Sequence, residues 1–173
     1  MIDLIHALNV SGMARDVGTR MGLTERECTI LAVGGLFHDI GKMNIPPKIL
    51  DKPGSLTKDE RSIIELHTQL GYSLLRNMPD AIHKEVSHIA LNHHERMDAS
   101  GYLRKPASEQ PIMVRIVAAC DVLDALLTDR PYRRAWAWSG AKDYMMESAG
   151  TLFDSDVVDA LLAVLEPKLS KGA

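Results

Sequence analysis

The sequence predicts an all-α protein, a bundle of about six to eight helices, and three observations carry that expectation. Two stretches, Thr24-Glu25-Arg26-Glu27 and Thr57-Lys58-Asp59-Glu60, read as capping boxes. In such a box a threonine hydroxyl and a glutamate three residues on satisfy each other's backbone N–H groups at a helix start. Between Cys28 and Phe37 the chain is apolar on nearly every side, as a helix in the centre of a core should be. Nowhere do four or more residues alternate in a convincing strand pattern.

Taken in order, the first helix starts almost at Met1 with no capping signal ahead of it, which leads us to expect a longer natural protein with an upstream sensory module. The second opens at Thr24 and ends on His38 and Asp39, and its small pair Gly34-Gly35 invites a neighbouring helix to come close. Pro46-Pro47 and Pro53-Gly54 break the chain before the helix that opens at Thr57. Asp80, Ser139 and Asp154 are the N-caps expected for later helices. There is no repeat, low-complexity segment or linker, and 173 residues suit one domain over 1–173.

Hydrophobic residues make up 46% and charged residues 25%, ordinary globular values that argue against disorder. A net charge of -3 gives no general attraction to a nucleic acid polymer or an acidic membrane, so an anionic substrate needs a local basic patch. The longest apolar stretch, around Leu31 to Phe37, is too short to span a bilayer, and the N-terminus lacks a secretion signal. A cytoplasmic protein without membrane contact is the expectation. Cys28 and Cys120 are isolated within apolar runs and read as buried, reduced thiols.

The seven histidines are not scattered. His93 and His94 are adjacent, His38 precedes Asp39, His67 lies mid-helix in Glu65-Leu66-His67-Thr68, and His6 is on the first helix. Asp121 follows the apolar run from Ile116 to Cys120, whereas His83 and His88 sit in no motif and read as ordinary residues. A carboxylate at the end of a buried helix is costly unless a cation compensates it. Imidazole with carboxylate, without thiolate, suits iron, manganese or zinc. Successive residues on a helix point about 100° apart, so His38 and Asp39 can face two ions at once, with Asp39 between them. Two ions would activate a water and neutralise charge on a phosphate, giving Asp39 and Lys42 catalytic roles. The basic run Asp129-Arg130-Pro131-Tyr132-Arg133-Arg134 follows soon after Asp121 and reads as a phosphate contact.

These stretches resemble the HD-GYP family, a branch of the HD phosphohydrolase superfamily. The resemblance is carried by His38-Asp39-Ile40-Gly41-Lys42, by Lys52-Pro53-Gly54-Ser55-Leu56-Thr57, and by the run from His93-His94-Glu95-Arg96 to Gly101-Tyr102. Asp121-Val122-Leu123-Asp124-Ala125-Leu126, Thr128-Asp129-Arg130-Pro131-Tyr132-Arg133 and Gly150-Thr151-Leu152-Phe153-Asp154 complete it, in order, from His6 to about Leu161. It implies an HD-domain-like helical bundle that hydrolyses cyclic di-GMP to linear pGpG, with further cleavage to GMP left open. It also implies a pair of divalent metal ions, iron first, with manganese or another transition metal as alternatives. By motif, the metal ligands are His6, His38, Asp39, His67, His93, His94 and Asp121, and the substrate contacts are Lys42, Tyr102, Arg130 and Arg133.

Several points stay open within the resemblance. Cyclic GMP-AMP is an alternative substrate, because no base-reading residues stand out. A low-turnover receptor would be expected to lack a ligand or Lys42, and neither is missing; a homodimer is compatible with the pattern. Relatives with a third ion use a Glu one helical turn before the first ligand His, where this chain has Ile2. Asp3 is rotated by about 100° from that position, so two ions are expected, His6, His38, Asp39 and Asp121 on one and Asp39, His67, His93 and His94 on the other. Where the family has Gly-Tyr-Pro this chain has Gly101-Tyr102-Leu103, which removes a fixed φ and predicts a looser loop, and the stretch from Arg104 to Gln110 also departs from the family.

Overall fold

A computed structural model describes residues 3–79, 81–129 and 133–169. Among them are eight helices of two turns or more: α1 (Leu4–Arg20), α2 (Glu25–Phe37), α4 (Lys58–Glu65), α5 (His67–Leu75), α6 (His83–Asn92), α7 (Ile112–Leu127), α8 (Trp138–Ser148) and α9 (Ser155–Leu169). A single turn, α3 (Pro47–Leu50), lies between α2 and α4. No strand occurs among the described residues, only an isolated bridge between Ala149 and Phe153. The all-α expectation holds.

Local signals set the helix starts. Both capping boxes form, at Thr24 with Glu27 and at Thr57 with Glu60. Asp154 caps α9, its carboxylate accepting from the N–H groups of Asp156 and Val157. Two expectations need correction. The first helix does have a cap: Asp3 accepts from the backbone N–H of His6 at 3.2 Å. Ser139 does not cap α8, because that helix already begins at Trp138 and its N-cap is Ala137. Asp80 lies outside the described residues.

Packing then brings α1, α2 and α7 together. α1 packs on α2, α7 and α9, while α2 also packs on α6 and α7. The Gly34-Gly35 pair does what its size suggests: a Cβ on Gly35 would stand 2.9 Å from the Ser11 backbone of α1, and one on Gly34 would strike Ile89 of α6. Ile30, Leu31, Ile89, Ile116, Leu123, Met145 and Leu161 fill the interior, each side chain contributing roughly 1.5–3 kcal/mol by leaving water. Cys28 and Cys120 are buried free thiols. Among the described residues no helix is long and apolar enough to cross a membrane. Into this apolar interior the chain nevertheless places Asp121 and Asp124, both on α7 and both buried.

Candidate metal centre

Five histidines reach one place from different elements. His6 comes from the third position of α1, His38 caps the C-terminus of α2, and His93 caps that of α6, with His94 following. His67 opens α5 after a one-residue break at Leu66, so it starts a helix, where the sequence had suggested the middle of one. The short 3-10 turn Ile40–Asn44 lets α5 approach closely, because a Cβ on Gly41 would lie 1.9 Å from the carbonyl oxygen of His67. Only glycine fits there.

Four of these rings have one nitrogen committed. The Nδ1–H groups of His38, His67 and His93 donate to the carbonyls of Gly35, Ile64 and Ala90, at 2.6, 2.7 and 3.0 Å. Since a carbonyl can only accept, the proton sits on Nδ1 and the lone pair on Nε2. His6 places its Nδ1 2.6 Å from Oδ2 of Asp124. Each Nε2 is thereby aimed at the interior of the site, the arrangement that orients an imidazole towards a metal.

The atoms so aimed fall into two groups. Asp39, His67, His93 and His94 each offer a ligand atom within 4.8 Å of one another, and His6, His38 and Asp121 form a second such group. Asp39 Oδ1 lies 3.2 Å from His67 Nε2 and 3.7 Å from His93 Nε2, while its Oδ2 lies 3.5 Å from His38 Nε2. Asp39 therefore sits between the groups. On the other side Asp121 Oδ1 is 3.0 Å from His6 Nε2 and 3.7 Å from His38 Nε2.

The residues fit divalent cations on their own evidence. His38 Nε2 and Asp39 Oδ1 are buried without a hydrogen-bond partner, a cost that proteins rarely leave uncompensated. His67 Nε2 and His93 Nε2 approach to 3.4 Å with both protons on the far nitrogens, so two lone pairs face each other. A cation relieves both. The local charges tell the same story: burial opposes ionised groups here, yet the neighbours hold both aspartates far into the ionised range, His38 for Asp39 and His6 for Asp121. Burial, reinforced by His94 and His38, keeps His93 neutral, and burial lowers His94 to about 3. For His6 burial is outweighed by Asp121 and Asp124, which raise the ring to about 9. The ionised carboxylates and the neutral His93 and His94 are ready for a metal, whereas Asp121 and Asp124 on His6 and Asp39 on His38 favour the charged rings, whose protons a metal would displace.

Known proteins resemble this chain along most of its length. The HD domain family matches residues 5–157. The chain belongs to the HD domain family. Its sequence is 43% identical over 154 residues to the cyclic di-GMP phosphodiesterase response regulator RpfG of Xanthomonas campestris pv. campestris, covering 88% of this chain and 41% of that protein. It is 35% identical over 142 residues to the 3'3'-cGAMP-specific phosphodiesterase 2 of Vibrio cholerae, covering 82% of this chain and 27% of that protein. The chain thus spans less than half the length of these relatives. Its fold superposes on Bd1817, an HDG"Y"P protein from Bdellovibrio bacteriovorus, with a TM-score of 0.74 at 18% identity, over 94% of this chain and 52% of the other. The HD-GYP branch read from the motifs is consistent with all three.

The remaining expected site residues divide. Lys42, on the 3-10 turn, puts its ammonium 2.5 Å from Asp39 Oδ2. Tyr102 lays its ring 4.4 Å from that of His94, between centroids. Arg133 is turned elsewhere, donating to the Ala125 carbonyl near the end of α7 and lying over the Trp136 ring. Arg130 falls outside the described residues. His83 and His88 join neither group, and His88 packs on Tyr72. Two buried carboxyls carry more than the sequence reading gave them. Asp124 holds His6 and also accepts from Asn9 Nδ2 at 2.9 Å, and its place three residues after Asp121, on one face of α7, was the available signal. Glu95 accepts from two loop amides and is treated below.

Proposed function

We propose that this domain hydrolyses cyclic di-GMP to linear pGpG and then to GMP, with two divalent metal ions, iron first and manganese or another transition metal as alternatives. The observation that carries this reading is the pair of adjoining ligand groups with Asp39 between them, and with unpartnered lone pairs turned inwards. His6, His38, Asp39 and Asp121 would hold one ion; Asp39, His67, His93 and His94 would hold the other. Such ions supply an activated water at neutral pH and neutralise charge on a phosphate.

The protein's own groups do the rest. Three backbone carbonyls and Asp124 engage the Nδ1 atoms of His38, His67, His93 and His6, which leaves each Nε2 aimed inwards. Lys42, about one-quarter exposed beside Asp39, presents a positive charge to the oxygens of an incoming phosphate. Tyr102, 40% exposed, walls the site next to His94 and offers a face to the nucleotide. Arg130 and Arg133 are the proposed contacts to the second phosphate. An upstream sensory module and a second copy of the chain are the partners this reading allows.

Cyclic GMP-AMP is the second reading, favoured by the 35% identity to a Vibrio cholerae enzyme named for that substrate. Metal analysis of anaerobically purified protein, followed by both cyclic dinucleotides with product identification, tests the two together. Metal-loaded protein that cleaves neither would overturn the proposal.

A further inference from the structure

Glu95 directly follows the histidine pair and is 2% exposed. Its two carboxyl oxygens are spent on one loop: Oε1 accepts from the N–H of Leu103 at 2.8 Å and Oε2 from that of Lys105 at 2.7 Å. Between these donors Arg104 has φ 54°, a left-handed conformation that a non-glycine residue adopts only when its surroundings compel it. The chain is therefore wrapped around the carboxyl group, its N–H groups converging on it as in an anion-binding nest. At the other end of the loop a Cβ on Gly101 would stand 2.5 Å from Glu95 Cα and 2.7 Å from the His94 carbonyl oxygen, so the loop is seated on the histidine pair itself. Gln110 fastens the far side, its amide donating to the carbonyls of Lys105 and Arg96 at 2.8 and 2.9 Å. Tyr102 lies within this clamp, tilted 37° to the His94 ring.

We infer that Glu95 is a positioning residue that fixes Tyr102 beside His94 through the Leu103 and Lys105 amides, and that Leu103 takes part by supplying an N–H that proline lacks. The inference deepens the proposed activity and rests on it only for its kinetic consequence. The sequence predicted a looser loop at Leu103; the structure shows the lost ring constraint replaced by a hydrogen bond to a buried carboxyl group. A glutamine at 95 keeps the shape but turns an NH2 group towards one of the two donors, so one bond becomes a clash of donors.

The experiment uses metal-loaded protein in three forms, wild type, Glu95→Gln and Leu103→Pro, with diamagnetic zinc for the exchange and ring-contact measurements and iron or manganese for the kinetics. Glu95→Gln should leave the metal content unchanged, speed amide hydrogen exchange at Leu103 and Lys105 at least tenfold, and abolish the nuclear Overhauser contact between the Tyr102 and His94 rings. With cyclic di-GMP its KM should rise more than its kcat falls, since the metal-binding side chains are untouched. Leu103→Pro keeps the carboxyl group and should speed exchange at Lys105 alone, which preserves the test if the glutamine variant fails to fold. Unchanged exchange at both amides, or a Tyr102 to His94 contact that persists once exchange is fast, overturns the inference. Absence of cyclic dinucleotide hydrolysis by the wild type overturns the proposed function instead, and leaves the exchange and ring-contact results to decide the role of Glu95.

Discussion

The two halves of the candidate metal centre differ in how far their ring anchors lie along the chain. In the half containing Asp39, His67, His93 and His94, the anchored rings are fixed by carbonyls three residues back in the same segment, Ile64 for His67 and Ala90 for His93. Those anchors are backbone, set as soon as the helix end forms, and no substitution deletes them. In the half containing His6, His38 and Asp121, His6 depends on a side chain 118 residues away, Asp124 of α7, and the pair meets only when α1 packs on α7. The ligands of both halves come from several elements and meet in the assembled core; the difference is that His6 takes its anchor from a distant side chain, whereas His38, His67 and His93 take theirs from a carbonyl three residues back.

The strongest way to break the comparison is to remove what the halves share. Asp39→Ala should cost metal in both and abolish cyclic dinucleotide hydrolysis, while leaving a helical protein. Without its metal the variant should melt below the metal-free parent, because Lys42 and His38 lose the carboxylate that pairs with them. Metal analysis, turnover and a metal-free thermal melt check this, and substantial activity would refute the shared role. A substitution that touches only the dependent half sharpens the contrast. Asp124→Asn retains an oxygen acceptor but not the negative charge behind His6, and should weaken one of the two ions by about 10- to 100-fold. The other ion should be unaffected. Competitive metal titration resolves the two, and equal weakening of both would show that the halves are not separable.

The same contrast decides what could be read from the sequence. The capping boxes, the His38-Asp39 pair and His93-His94 are local patterns, and the helix starts and these four ligands follow from them. His6 was grouped with the other histidines from the sequence, but its role as a ligand came from the family resemblance, since its partners Asp121 and Asp124 are distant in the chain and close only after packing. The break at Leu66 carries neither Gly nor Pro, so nothing announced that His67 opens a helix. Asp3 went unread as a cap because the expected helix start was placed ahead of it. The loop after His94 was misjudged for a related reason: proline's absence is visible in sequence, but the carboxyl group of Glu95 that replaces its constraint is identified only by its burial against the loop.

A smaller effect is expected at the basic run. Arg133 already gives one nitrogen to the Ala125 carbonyl and its face to Trp136, which leaves part of the guanidinium for a phosphate. Arg133→Ala should therefore weaken a substrate analogue by about tenfold, the low end for a charge-assisted contact. Both ions should stay bound. A melting temperature that drops while analogue affinity is unchanged would assign Arg133 to the end of α7 alone.

The smallest effect belongs to Asp3, and it bears on whether the dependent half can recruit a third ion. Its carboxylate accepts from the backbone N–H of His6, while the His6 ring is held independently by Asp121 and Asp124. The cap therefore supports the first turn of α1 without setting the ring. Asp3→Ala should cost about 1 kcal/mol of stability, a fall of roughly 2–4 °C in melting temperature for a chain of this size. Asp3→Asn, which keeps the accepting oxygen, should recover most of it. Metal content should stay at two ions per chain in all three proteins, because a carboxylate engaged in capping is not turned towards the centre. Three ions in the parent falling to two in Asp3→Ala would show instead that Asp3 is a ligand, and that the first turn of α1 rearranges when metal binds.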